Sequence, residues 1–300
     1  MPETGPAPLN LPAPTERGRL KVPGGEERAW ARWNAAAPIG KVVLSHGYGE
    51  HGERYAHIAA WLTDLGWAVS AMDHKGFGRS EGIRGDAHGL APFADDLALF
   101  LAQERLPGLP LVVLGHSFGA LVALAAAAEH PGAADGLILS SPALVLRGYP
   151  PSVRLIRWLL LRLAPHMSLE LPNNKDLVCS DPELVRRYWA DPLCHRQVSA
   201  AYTEIFPDGF RMLQDRAAAL TCPMLVLEAG DDTVADPDAG DPFWSLISPQ
   251  LLERHRLDGF LHEVFHDLRR QEAQNLAAAW LTRHFETPPG NPEAVPAMRG

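Results

Sequence analysis

Leu111-Val112-Val113-Leu114-Gly115-His116-Ser117-Phe118-Gly119, continuing into Ala120-Leu121-Val122-Ala123-Leu124-Ala125-Ala126-Ala127-Ala128, is the stretch that decides the fold. A short apolar run of strand length meets a longer, alanine-rich run of helix length, with a G-x-S-x-G turn between them. Glycine is needed two residues either side of the serine because this turn brings the strand and helix backbones close together. The strained apex then lifts the serine hydroxyl above the sheet, beside the start of the helix. The pentapeptide alone is equally compatible with an ordinary packing turn. Its position between a strand and a helix makes Ser117 a candidate nucleophile.

Working outward, strand-like runs alternate with helical patterns. Strands are predicted over Lys41–Ser45, Trp67–Met72, Leu111–Leu114, Gly136–Ser140, Met224–Glu228 and Glu253–Leu257. Helices are predicted over Tyr55–Leu65, Pro92–Gln103, Ser117–Glu129 and Leu268–His284. This alternation reads as an α/β fold, a mostly parallel sheet with helices on both faces. Arg19–Val22 and Ala29–Trp33 are read as an antiparallel edge hairpin. The interval from about 144 to 219 breaks the alternation, shows no clear strand and is too long for a simple connection. It is read as a helical cap inserted over the C-terminal edge of the sheet, where open α/β sheets bind ligands. Proline-rich ends at 1–14 and 287–300 are read as disordered tails flanking a domain over 15–286.

Composition narrows the function. The 300 residues are 46% hydrophobic and 21% charged, values typical of a soluble globular protein with room for a sizeable core. A formal charge of −9 and the absence of a Lys/Arg cluster argue against nucleic acid as a partner. Cys179, Cys194 and Cys222 form neither a disulfide framework nor a C-x-x-C pair. No signal-peptide pattern is present at the N-terminus and no apolar stretch approaches the ~20 residues of a membrane span, so a cytoplasmic location is expected.

A serine hydroxyl becomes a competent nucleophile when a histidine takes its proton and a carboxylate orients that histidine. In folds with this elbow, the three follow in the chain order Ser, acid, His. The turn after Met224–Glu228 offers Asp231 and Asp232, while Asp236 before Pro237 reads as a helix N-cap. The turn after the last predicted strand, Asp258-Gly259-Phe260-Leu261-His262, offers His262 as the base. The loop His46-Gly47-Tyr48-Gly49-Glu50-His51-Gly52 follows the strand Lys41–Ser45. A loop at this place presents one backbone N–H to a developing oxyanion, and the residue after the nucleophile presents the other. Tyr48 and Phe118 are the candidates, through their main-chain amides.

His46–Tyr55, together with Asp73-His74-Lys75-Gly76-Phe77-Gly78-Arg79-Ser80-Glu81-Gly82, resembles the loop signatures of the monoacylglycerol lipase and lysophospholipase group of α/β-hydrolases. Gly115–Gly119 is similar to that group's elbow, Gly230–Val234 to its acid turn, and Gly259–Phe265 to its histidine loop. Ser180–Leu184 with Asp191–Leu193 is similar to a stretch of its caps. The resemblance runs from about 18 to 285. It implies the α/β-hydrolase fold, the choice of Asp232 over Asp231, and a Ser117–Asp232–His262 triad. It further implies hydrolysis of fatty acyl esters, monoacylglycerols first, with no metal or organic cofactor. Glu53 departs from the group, where serine or a small residue is expected, and so does Phe118, where methionine is frequent.

The cap segment Val153–Leu163 is apolar on more than one face, and Leu155, Trp158 and Leu159 are read as lining an acyl pocket. A transient contact with a lipid surface through its arginines is a less favoured reading. Lysophospholipase and broad-specificity carboxylesterase are the alternatives within enzymes, acting as a monomer or weak homo-oligomer on a small lipid ester. His262-Glu263-Val264-Phe265-His266 also spells H-E-x-x-H, the zinc-peptidase signature, with Glu286 at a plausible distance for a third ligand. That reading leaves the elbow, the oxyanion loop and the acid turn unexplained.

Overall fold

The computed structural model describes residues 9–148, 151–170 and 178–285. In chain order the first half contains β1 (Glu16–Lys21), β2 (Glu27–Trp33), β3 (Gly40–Ser45), α1 (Ala56–Asp64), β4 (Trp67–Met72), α2 (Ala91–Glu104), β5 (Leu111–His116), α3 (Phe118–Glu129) and β6 (Gly136–Ser140). There follow α4 (Pro151–Leu163), β7 (Ser168–Glu170), α5 (Pro182–Ala190), β8 (Gln197–Ser199), α6 (Ala200–Thr203) and α7 (Ile205–Arg216). The chain then returns to the sheet with β9 (Met224–Ala229), α8 (Asp241–Trp244), β10 (Leu252–Leu257) and α9 (Arg270–Phe285).

Eight strands make one sheet in the order β1-β2-β4-β3-β5-β6-β9-β10. β1 and β2 pair antiparallel as an edge hairpin, β2 pairs antiparallel with β4, and every other pairing is parallel. Helices cover both faces, which is why β3, β4, β5, β6 and β9 are buried along their whole length and read as continuous apolar runs. Alternation within a strand divides the core. Leu111 and Val113 of β5 pack with Phe93, Leu97 and Leu121 of α2 and α3, whereas Val112 and Leu114 join Ile58, Leu62 and Trp280 of α1 and α9 on the other face. The edges are β1, Glu-Arg-Gly-Arg-Leu-Lys, and β10, Leu-Glu-Arg-His-Arg-Leu, and the charges of both discourage strand addition by another chain.

Between β6 and β9 the chain is mostly helical, as the sequence suggests, but it also contains β7 and β8, an antiparallel pair of three residues each. Segments so short produce no apolar run to read. Composition places residues 9–14 in the loose tail, whereas they lie against the domain. Trp33 Nε1 donates to the Pro12 carbonyl at 3.0 Å, and Leu11 packs on the core beside it. Residues 1–8 and 286–300, which carry the rest of both tails and Glu286, lie outside the described residues.

Candidate active site

The elbow is built as its glycines require. Ser117 sits between β5 and α3 at φ 52°, ψ −115°, in the left-handed region where a side chain is strained. A Cβ on Gly115 would fall 2.7 Å from the Ala120 Cα, and one on Gly119 would fall 2.0 Å from the Ser45 carbonyl oxygen. Neither position has room for a side chain, since both neighbours are backbone.

The turn after β9 and the loop after β10 meet at this serine. His262 Nε2 lies 2.8 Å from Ser117 Oγ, and His262 Nδ1 lies 2.7 Å from Asp232 Oδ2. The other oxygen, Asp232 Oδ1, accepts the amides of Val234 at 2.8 Å and Ala235 at 2.9 Å. Burial acts to raise the Asp232 pKa, but attraction to His262 and these hydrogen bonds outweigh it and hold the carboxyl below its ordinary value. Asp231 is exposed, with its amide donating to the Phe260 carbonyl and so tying the acid turn to the histidine loop. Asp236 is not the N-cap: the short 3₁₀ turn Asp238–Gly240 has Pro237 in that position.

Tyr48 and Phe118 both line the same cavity as Ser117 and His262. Phe118 is the first residue of α3, where amides have no carbonyl within the helix to bond. The loop carrying Tyr48 is held from several sides. Glu50 Oε1 accepts the Gly47 amide at 2.7 Å and the Tyr55 hydroxyl at 2.6 Å, and Glu50 Oε2 pairs with Arg54. His46 Nε2 accepts the His74 amide at 2.9 Å, so the ring is neutral with its proton on Nδ1, donated to the Gly47 carbonyl at 2.8 Å. Burial lowers the pKa of His46, and that of His74 more strongly, which keeps both rings uncharged under the loop. Ser45 Oγ donates to the Gly119 carbonyl at 2.9 Å and stands 3.0 Å from His74 Nε2, joining the loop to the elbow.

Residue pattern alone does not single out Glu50, Arg54 or Glu263. For the first, the available signal is a glutamate three residues beyond Gly47, placed to bond back to its amide. Asp73, which the sequence marks only as the first letter of a family loop, fastens two loops together. Its oxygens accept the amides of Gly52 at 2.9 Å and Arg79 at 2.8 Å. Glu53 lies away from the cavity and pairs with Arg17 and Arg79, so that departure from the group leaves the pocket unchanged.

The cavity holds about 220 Å³ and is walled by Phe118, Leu146, Val198, Tyr202 and Phe206 among others, with Glu50, Arg196, Thr203 and Glu263 among its polar members. Leu155, Trp158 and Leu159 do not line it. They are 59%, 48% and 41% exposed, which corrects the pocket reading of the cap helix. The reason is the face by which α4 attaches: Arg157 Nε donates to Thr203 Oγ1 at 2.7 Å and its guanidinium pairs with Glu204, so a polar anchor turns the apolar side chains outward. His262 and His266 do not share a helix face either. His262 has both ring nitrogens engaged, and His266 is buried on a three-residue 3₁₀ turn against Tyr55 and His57.

A mostly parallel eight-stranded sheet, with a serine on a strand-to-helix elbow and an acid turn and histidine loop at later strand ends, defines an α/β-hydrolase. The chain belongs to the monoacylglycerol lipase and lysophospholipase group of that superfamily, and residues 36–269 match the hydrolase family described as Serine aminopeptidase, S33. It is 33% identical to the monoacylglycerol lipase of Mycolicibacterium smegmatis over 252 residues, 83% of this chain and 90% of the relative. It is 30% identical to the human monoglyceride lipase over 260 residues, 81% of this chain and 85% of the relative. Among solved structures, the monoacylglycerol lipase of Paleococcus ferrophilus superposes with a TM-score of 0.74 at 27% identity, covering 86% of this chain and 99% of the other.

Proposed function

We propose that this chain is a serine hydrolase of fatty acyl esters, with monoacylglycerols as its main substrates. Ser117 attacks the ester carbonyl while His262 takes its proton and then returns it to the departing glycerol. Asp232 holds the imidazole in the tautomer that leaves Nε2 able to accept. The amides of Tyr48 and Phe118 bind the oxyanion, and water activated by His262 releases the fatty acid from the acyl-enzyme. No metal or organic cofactor takes part.

The observation that carries this reading is the unbroken hydrogen-bond chain from Ser117 Oγ through His262 to Asp232, opening onto a largely apolar cavity. A lipid substrate fits better than the peptide named in the family's description. An aminopeptidase needs an acidic group for the peptide's amino terminus, and the carboxylates lining this cavity, Glu50 and Glu263, both face Arg54. The similarity to proteins named as monoacylglycerol lipases supports the same choice. Residues about 144–219 act as the cap over this cavity, and α4 offers an apolar face through which the enzyme contacts a lipid surface. A lysophospholipid is the second reading, favoured by Arg196 in the cavity wall, whose guanidinium pairs with Glu170 and would exchange that carboxylate for a phosphate.

Intact-mass measurement after treatment with a fluorophosphonate tests the chemistry. One adduct is expected, absent in Ser117→Ala and indifferent to a chelator. Well-folded protein that takes no adduct overturns the serine-hydrolase reading. Turnover of monooleoylglycerol against lysophosphatidylcholine then decides between the two lipid classes.

A further inference from the structure

Away from the Ser117 cavity, the loop following β4 and the corner between α4 and β7 bring Asp86, His88 and His166 together. One carboxylate oxygen and one ring nitrogen from each histidine all lie within 4.8 Å of one another. His166 Nδ1 is 3.0 Å and 3.1 Å from the two Asp86 oxygens, and the rings of His88 and His166 have centroids 4.2 Å apart with planes inclined at 48°. Both histidines are exposed, whereas Asp86 is buried. Among the described residues, the ion-pair partner of Asp86 is His166, with no lysine or arginine beside it. A buried carboxylate is thus balanced by imidazoles, which carry charge only when protonated, an arrangement that favours a bound cation.

We propose that Asp86, His88 and His166 form a binding site for a divalent transition metal, with zinc the best-suited ion. Two imidazoles and one carboxylate suit a borderline metal, whereas magnesium and calcium prefer all-oxygen sets. Tetrahedral zinc, with bonds of about 2.0–2.2 Å, holds its donor atoms about 3.4 Å apart. The spacing of His166 Nδ1 from Asp86 is close to that, and the ring nitrogen of His88, within 4.8 Å of both, would move in as the ion replaces the shared proton. Ser199 Oγ donates to Asp86 Oδ1 at 2.5 Å and orients the carboxylate, as groups behind a metal ligand commonly do. The joint beneath is rigid: the Ser199 amide donates to the Gly85 carbonyl at 2.8 Å, and a Cβ on Gly85 would fall 1.7 Å from the Gln197 carbonyl oxygen. With three protein ligands and a fourth position open to water, the ion would pin the segment between β6 and β9 to the loop after β4, outside the ester chemistry.

The test is calorimetric titration of chelator-stripped full-length protein with zinc chloride, on wild type, His88→Ala, His166→Ala and Cys194→Ala. The last variant removes a ligand from the other candidate cluster, His51, Asp191 and Cys194, and so reports on competition. One equivalent bound by wild type and by Cys194→Ala, and at least tenfold more weakly by both histidine variants, is the expected result. Absence of binding to wild type overturns the proposal, as does equal binding by all four proteins. Binding lost in Cys194→Ala alone also overturns it, by placing the ion at the other cluster. Both substituted histidines are exposed, and circular dichroism of each variant confirms that a lost signal is not a lost fold.

Discussion

Asp232 Oδ2 sits 2.7 Å from His262 Nδ1 while Asp232 Oδ1 is fully occupied by the Val234 and Ala235 amides, so the carboxylate cannot rotate without breaking its own turn. The fixed carboxylate calls for a proton on Nδ1, which leaves the Nε2 lone pair facing Ser117 Oγ. Orientation of the His262 ring is therefore set by backbone geometry in the turn after β9.

Exchange of the carboxylate for an amide should break that orientation while keeping the shape. Asp232→Asn is expected to lower kcat on a p-nitrophenyl ester by about 10⁴-fold, the size of effect seen when a triad histidine is left in the wrong tautomer. Ser117→Ala should be at least as severe. Steady-state kinetics on both, with Asp231→Asn as the control, provides the check. A comparable loss in Asp231→Asn would move the acid to the neighbouring residue.

On the proposed mechanism, Glu50 acts on the reaction through the loop it holds. Removing its carboxylate releases the Gly47 amide and the Tyr55 hydroxyl, and leaves Arg54 to Glu263 alone. Glu50→Ala is expected to reduce kcat by about 10²-fold, near the loss for one oxyanion donor, with KM for a short ester changed much less. Equal changes in kcat and KM would point to a collapsed cavity instead of a displaced amide.

The strands β3, β5 and β9 are legible in the sequence because burial on both faces leaves continuous apolar runs, and the elbow because a side chain at either glycine would strike backbone. The choice between Asp231 and Asp232 is not legible from the residues alone. Both follow the same strand, and what separates them is that one faces solvent and the other lies under the histidine loop. The outward face of α4 is hidden for a related reason. An apolar helix announces that something covers it without naming what, and here the Arg157 bonds to Thr203 and Glu204 decide which side attaches. Glu50 and Arg54 escape notice because a buried ion pair has the same letters as an exposed one.

Acid stability should report on a second buried cluster. Burial acts to raise the Glu104 pKa, but Arg32, Ser70 and Lys41, at 2.5 Å, 2.6 Å and 2.9 Å, outweigh it and bring it from 4.5 to about 2. A carboxyl lowered in the folded state contributes stability that is fully present above the unfolded value. That contribution is lost as pH falls from 4.5 through about 2. Glu104→Gln should be destabilised by about 3–5 kcal/mol at pH 7, because buried Lys41 loses its charge partner and Arg32 keeps the more exposed Glu16 alone. It should also show a shallower decline between pH 4.5 and 2. Urea unfolding midpoints at both ends of that range measure it, and an acid limb identical to wild type would remove Glu104 from the account.

The exposed apolar face of α4 yields a prediction that separates lipid contact from catalysis. Leu155, Ile156, Trp158, Leu159 and Leu163 project from one short helix, with Met167 and Leu169 exposed just beyond it. Thirteen residues span about 20 Å, enough to lie in a headgroup layer and too short to cross a bilayer. Since none of these side chains lines the Ser117 cavity, Leu155→Ser with Trp158→Ser should leave kcat/KM on water-soluble p-nitrophenyl butyrate within about twofold, and stability within about 1 kcal/mol. Partial burial of two such side chains in a lipid surface is worth at least about 1.4 kcal/mol, so turnover of monoacylglycerol presented in phosphatidylcholine vesicles should fall about tenfold or more. A parallel loss on both substrates would return these residues to the cavity, in a conformation where α4 closes over it. No loss on vesicles would leave the apolar face without a lipid role.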